Sequence, residues 1–122
     1  MNSVTKIKFC GLTSYDEVAF AKKNNIYWIG FIFAKGSSRF IEIGKAKEII
    51  SKFDNCLNIV GVFVDANDDW IKLALEAGIN YIQLHGEESP ERCEEIKSLF
   101  KTPIIKAIPI EKEEDLKNIE FY

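Results

Sequence analysis

Two apolar runs end on a reactive side chain followed by glycine. They are Lys8-Phe9-Cys10-Gly11-Leu12-Thr13 and Gln83-Leu84-His85-Gly86-Glu87-Glu88. His85 is the sole histidine and Cys10 one of three cysteines in the 122 residues. A thiol at a strand end, just before a helix N-terminus, is placed to act as a nucleophile or general base, because that dipole favours the thiolate. The competing reading is a small buried hydrophobe. Gln83 and His85 share strand parity and therefore face the same way. The carboxamide brings a donor and an acceptor, and the imidazole brings hydrogen bonding that can be tuned near neutral pH. Arg39, in Ala34-Lys35-Gly36-Ser37-Ser38-Arg39-Phe40, is one of two arginines in a lysine-rich chain. A guanidinium grips carboxylate or phosphate through two parallel hydrogen bonds, which lysine cannot do. Its alternative reading is a solvated loop charge.

The remaining reactive side chains have plainer readings. Cys56 falls in a helix-to-strand connection and Cys93 on a helical apolar stripe, so both are read as structural. The cysteines are odd in number and lack metal-ligand spacing, which points to a reduced cytoplasm. Arg92 reads as a surface charge among glutamates, and Asp65 as the cap of the following helix. Lys8 and Lys106 are read with inward strand parity, where a buried ammonium needs partners. Glu111 to Asp115 reads as a solvated helix start.

These residues need elements to hold them. Strand-like runs rich in Ile, Val and Phe cover 5–10, 28–33, 58–64, 81–84 and 103–107, mostly without strict alternation, as in strands covered on both faces. Between them, Ser14 with Glu17 has capping-box spacing for a helix to about Asn24. Ile43, Ala46, Ile49, Ile50 and Phe53 form the stripe of a second helix. Asn67 or Asp68 caps a third, carrying Trp70, Leu73, Ala74 and Ala77 and stopping at Gly78. Ser89-Pro90 opens a fourth, with Cys93, Ile96, Leu99 and Phe100 inward. A short acidic fifth begins near Glu111. Strict β-α alternation predicts a parallel sheet with right-handed crossovers. That leaves an open doubly wound sheet or part of a (β/α)8 barrel. No Gly-rich dinucleotide fingerprint or P-loop follows the first strand, which favours the barrel.

Composition narrows the class. Hydrophobic content is 47%, charged content 29% and net charge -3, with both signs interspersed. No basic patch is offered to nucleic acid or to an anionic membrane. No apolar run approaches the roughly 20 residues of a spanning helix. The first fifteen residues lack a signal-peptide pattern.

Together these blocks resemble phosphoribosylanthranilate isomerase, the (β/α)8 TIM barrel of tryptophan biosynthesis. The matching pieces are Lys8 to Thr13, Gly30-Phe31-Ile32-Phe33 with Ser37-Ser38-Arg39-Phe40, Val60 to Val64, Gln83 to Glu87 and Ile105-Lys106-Ala107. They follow the family's order and spacing across essentially the whole chain. Phe9 departs mildly, standing where the family usually has a smaller aliphatic residue.

The resemblance implies a cofactor-free Amadori rearrangement of N-(5'-phosphoribosyl)anthranilate. In it Cys10 is the general base at ribose C2, Arg39 grips the anthranilate carboxylate, and Gln83 and His85 line the site. It puts the general acid, an aspartate, on a sixth strand, and the phosphate loops after strands seven and eight. By the resemblance, residues 1–122 are a single truncated barrel domain of about five βα units, and an expectation follows that the chain alone is inactive. It is then expected to self-associate or to be complemented by a C-terminal fragment, with no nucleic-acid or membrane partner. The alternatives are a catalytically inactive, self-associating fragment, or another phosphate-binding barrel such as indole-glycerol-phosphate synthase. The latter works through lysine and glutamate and fits the Cys-Gly-Leu-Thr block less well.

Overall fold

The computed structural model describes residues 5–54 and 56–122, so the expected domain limits 1–122 include residues 1–4 and 55, which lie outside the described residues. The order is β1 (Lys8–Cys10), α1 (Tyr15–Lys23), β2 (Trp28–Ile32), α2 (Ile43–Ile50), β3 (Asn58–Phe63), α3 (Asp68–Ala77), β4 (Tyr81–Leu84), α4 (Pro90–Phe100), β5 (Ile104–Lys106) and a 3₁₀ segment, Glu113–Phe121. Every strand pairs in parallel with the next in sequence, giving the order β1-β2-β3-β4-β5. A doubly wound sheet reverses its strand order at a switch point. Here the order never reverses, so the sheet is a stretch of barrel wall, and the barrel is not closed.

Local chemistry explains the helix limits. The Ser14 hydroxyl accepts from the Glu17 amide at 3.3 Å while Glu17 Oε1 accepts from the Thr13 amide at 2.8 Å. That amide bond leads the interactions holding the Glu17 carboxyl below its ordinary value. The Asn67 side chain, not Asp68, caps α3 by accepting from Trp70 N, and Ser89 caps α4 by accepting from Arg92 N. Gly78 ends α3 at φ 119°, a conformation open to glycine because it lacks Cβ.

The convex face of the sheet packs under the helices. Ile29, Phe31, Phe33, Ile59, Phe63, Ile82 and Leu84 meet Val18, Ala21, Ala46, Ile49, Ile71, Ala74 and Ile96 in one buried cluster. The fully buried alanines let helix backbones approach the strands closely. A second, smaller cluster of Ile32, Val60 and Val62, flanked by Cys10, Trp28, Tyr81 and Ile105, lies on the concave face.

Several details differ from the sequence reading. The buried row of α3 is Ile71, Ala74 and Ala77, leaving Leu73 48% exposed. On α4 only Ile96 is fully buried, and Leu99 is exposed. Both helices carry more apolar residues than one sheet-facing row can cover. The acidic fifth element is a 3₁₀ segment starting at Glu113, tied back by Asp115 Oδ2 accepting from Glu111 N and Lys112 N. Among the described residues, no helix is long and apolar enough to cross a membrane.

Candidate active site

The carboxyl ends of β1 to β4 surround a cavity of about 360 Å³. Cys10, Arg39, Gln83 and His85 all line it, with Ile32, Val62 and Val64 as its apolar wall. These four residues span seventy-five positions of sequence, and parallel pairing brings them to one rim.

Cys10 is held at the end of β1, half-buried, where Gly11 N and Leu12 N both donate to Gly30 O, at 2.9 and 3.0 Å. Beside it, Gly30 leaves a gap: a Cβ there would stand 3.3 Å from Cys10 Sγ and 3.6 Å from Lys8 Cε. The thiol faces the cavity across that gap.

Arg39 arrives from the loop after β2. Ser37 N donates to Ala34 O, Phe40 N to Ser37 O and Arg39 N to Ser37 Oγ, and Ile41 N returns to Ile32 O at 3.0 Å. This folded loop turns the guanidinium back over β1, where Nη1 donates to Cys10 O at 2.9 Å. Gly11 accommodates it: φ is +82°, and a Cβ would stand 2.6 Å from Arg39 Nη1. Arginine and thiol are thus fixed to one backbone unit.

Gln83 faces inward in register with Val62, and His85 N donates to Phe63 O at 2.8 Å, extending the ladder past β4. His85 is exposed at the cavity mouth. The Lys8 ammonium crosses the concave face and donates to Gln83 Oε1. Strands lie about 4.8 Å apart, so contact between β1 and β4 side chains records how strongly the sheet curls.

Three of these side chains sit differently from what the sequence suggests. Lys106 pairs with Leu84, whose side chain belongs to the convex core, so Lys106 faces the helices and not the barrel interior. Asp65 is not a helix cap: at φ 49°, its Oδ1 accepts from Glu87 N at 2.9 Å. Arg92 is not a free surface charge, because it pairs with Asp68 at 2.7 Å and with Glu95, and donates to Ala66 O. Burial would lower the Arg92 guanidinium, but those carboxylates hold it above its ordinary value. Of the two cysteines read as structural, Cys93 packs half-buried against the main core, its thiol pushed up by burial, whereas Cys56 is exposed and carries no packing role.

Glu88 was given no role in the sequence reading and organises the rim. It is 4% exposed, the buried charge among the described residues. Its carboxylate accepts from Asp65 N at 2.8 Å, Gly86 N at 2.9 Å and Lys106 Nζ at 3.0 Å. Burial would raise its carboxyl, but the Asp65 amide, then Lys106 and its own amide, hold it below the ordinary value. Lys106 also donates to Gly86 O at 2.7 Å. The ends of β3, β4 and β5 are knotted together immediately behind Val64 and His85. A glutamate directly before the Ser89-Pro90 helix start was the available signal.

A second hollow of about 430 Å³ lies between Gly86, Lys106 and Tyr122, away from Cys10. Tyr122 Oη donates to Glu88 O there at 2.8 Å. No cluster of three or more His, Cys, Asp or Glu side chains among the described residues is arranged to hold a metal ion.

Known proteins match this arrangement. The family model of N-(5'-phosphoribosyl)anthranilate (PRA) isomerase matches residues 7–121. The N-(5'-phosphoribosyl)anthranilate isomerase of Rhodospirillum rubrum is 38% identical over 126 residues, covering 98% of this chain and 57% of that protein. The crystal structure of phosphoribosyl anthranilate isomerase from Thermotoga maritima superimposes with TM-score 0.87 at 29% identity, covering 95% of this chain and 56% of that one. A phosphoribosyl anthranilate isomerase in complex with reduced 1-(o-carboxyphenylamino)-1-deoxyribulose 5-phosphate does so with TM-score 0.87 at 29% identity, covering 95% and 59%. The chain spans about half the length of these relatives. On this match over nearly all its residues, the chain belongs to the N-(5'-phosphoribosyl)anthranilate isomerase family.

Proposed function

We propose that residues 1–122 form one partial (β/α)8-barrel domain carrying the base side of a phosphoribosylanthranilate isomerase site, which works in the cytoplasm in tryptophan biosynthesis. The observation that supports this most is one cavity lined by Cys10, Arg39, Gln83 and His85. In this reading the Cys10 thiolate removes the proton from ribose C2 of N-(5'-phosphoribosyl)anthranilate. The Arg39 guanidinium, spending one N–H on Cys10 O, turns its remaining donors to the anthranilate carboxylate. Gln83 and His85 hold the sugar from the β4 side.

The lining contains a thiol, an imidazole, a guanidinium and a carboxamide, but no carboxylate. By the family resemblance, the acid that protonates the ring oxygen and the phosphate grip belong to strands beyond these five. The reaction as proposed needs no cofactor.

A polypeptide carrying the family's remaining three βα units, mixed with this chain, should restore isomerase turnover. No turnover in the mixture, with both partners folded and associated, overturns the enzymatic reading. The second reading, an inactive self-associating fragment, is favoured by the unpaired edges of β1 and β5 and by Val64, 47% exposed in the cavity wall. Turnover by the 122-residue chain alone would sink that reading.

A further inference from the structure

Lys8 has no part in the chemistry outlined above, yet it crosses the concave face to β4. Its stem starts on β1 two residues before Cys10 and passes over Gly30, where Lys8 Cε and Cys10 Sγ flank the same missing Cβ. Its ammonium ends on Gln83 Oε1, three strands away.

We propose that Lys8 is a positioning residue that fixes the Gln83 carboxamide so that its N–H donors face the cavity, making this point of the site a receptor for an acceptor oxygen. A carboxamide offers an oxygen on one side and an NH2 on the other, with nearly identical shapes, so only its partner decides which way it points. An ammonium has three donors and no acceptor. The Gln83 oxygen must therefore turn to Lys8, and its Nε2 is left for the cavity shared with Cys10 and Arg39.

Arg39 is likewise donor-only. The polar lining above the thiol thus offers N–H groups from two sides and matches an oxygen-rich ligand such as a sugar with a carboxylate-bearing substituent. Gly30 is part of the device, since any side chain there would meet the Lys8 stem and the thiol together. The identity of the acceptor as a ribose oxygen rests on the isomerase reading; the orientation of the carboxamide does not.

Gln83 is the only glutamine in the chain, so side-chain 15N labelling of glutamine gives a single NH2 pair. In the 122-residue protein, the Nε2 protons should show stronger NOEs to Cys10 and Val62 protons than to the Lys8 Hε protons. Lys8→Arg, which keeps a donor, should preserve the pattern. Lys8→Met should shift the pair and lose the NOEs to Cys10. NOEs from Nε2 that are stronger to Lys8 than to Cys10 in the wild-type protein overturn the proposal, as does a Lys8→Met spectrum unchanged from wild type. Should Lys8→Met fail to fold, the wild-type pattern still decides. Lack of turnover in the complemented protein, with the NOE pattern intact, would count against the isomerase reading and leave the positioning role standing.

Discussion

At the scale of single residues, the thiol carries the sharpest prediction. In the complemented protein, Cys10→Ser should lower turnover at least ~10²-fold if the thiolate takes the C2 proton. Near-normal steady-state turnover disproves that role. Arg39→Ala should act differently, because a guanidinium that holds a carboxylate binds ground state and transition state alike. Its KM should rise while kcat changes little, and an unchanged KM counts against it. Cys10 and His85 were legible in sequence because each ends an apolar run at a glycine. The partner of Lys8 and the role of Glu88 were not, since Gln83 and Lys106 lie 75 and 18 residues away and only strand pairing brings them together.

Elements are held at the rim by a buried ion pair, and its energetics differ from those of the exposed pairs. The Lys106 and Glu88 side chains are 11% and 3% exposed, whereas those of Lys52 and Glu48 are 54% and 72% exposed at 3.9 Å. An exposed pair of that kind contributes about 0–1 kcal/mol. Removing one partner of a buried pair costs about 3–5 kcal/mol, because the other charge stays unpaired. Lys106→Met should therefore lower the urea midpoint strongly, while Lys52→Met should barely move it; equal small shifts would refute the rim's structural weight.

The same carboxylate sets a pH dependence. Because Glu88 is held below its ordinary value when folded, its contribution is fully present above the unfolded carboxyl value of about 4.3. That contribution is lost as pH falls through the lower folded value. Thermal unfolding of wild type against Glu88→Gln should show the wild-type advantage shrinking below about pH 4. An advantage constant from pH 7 to pH 3 would exclude this origin. Gly86 belongs to the same knot: a Cβ there would stand 2.8 Å from the Asp65 amide nitrogen. Gly86→Ala must therefore part the β3 and β4 loops.

At the scale of the molecule, β1 and β5 each have one unpaired edge among the described residues, while Ile32, Val60 and Val62 on the concave face are buried and Val64 beside them in the cavity wall is 47% exposed. Unpaired strand edges and apolar surface favour association. Sedimentation of the 122-residue chain should show concentration-dependent self-association that a complementing polypeptide with the remaining strands suppresses. A monomer at all concentrations, unaffected by that polypeptide, would contradict this account of the open edges.

The order of elements, the helix caps at Ser14 and Ser89, and the strand ends bearing Cys10 and His85 were determined by the sequence itself. They depend on local chemistry: a hydroxyl three residues before an orphan amide, an apolar run stopped by glycine, a period of two or of 3.6. The curl that joins Lys8 to Gln83, the outward turn of Lys106 and the burial of Glu88 were decided only by the tertiary structure. Strand register is a cooperative property of the whole sheet, and a one-residue shift exchanges its two faces. No local pattern in a three-residue strand such as Ile104–Lys106 carries enough information to choose between them.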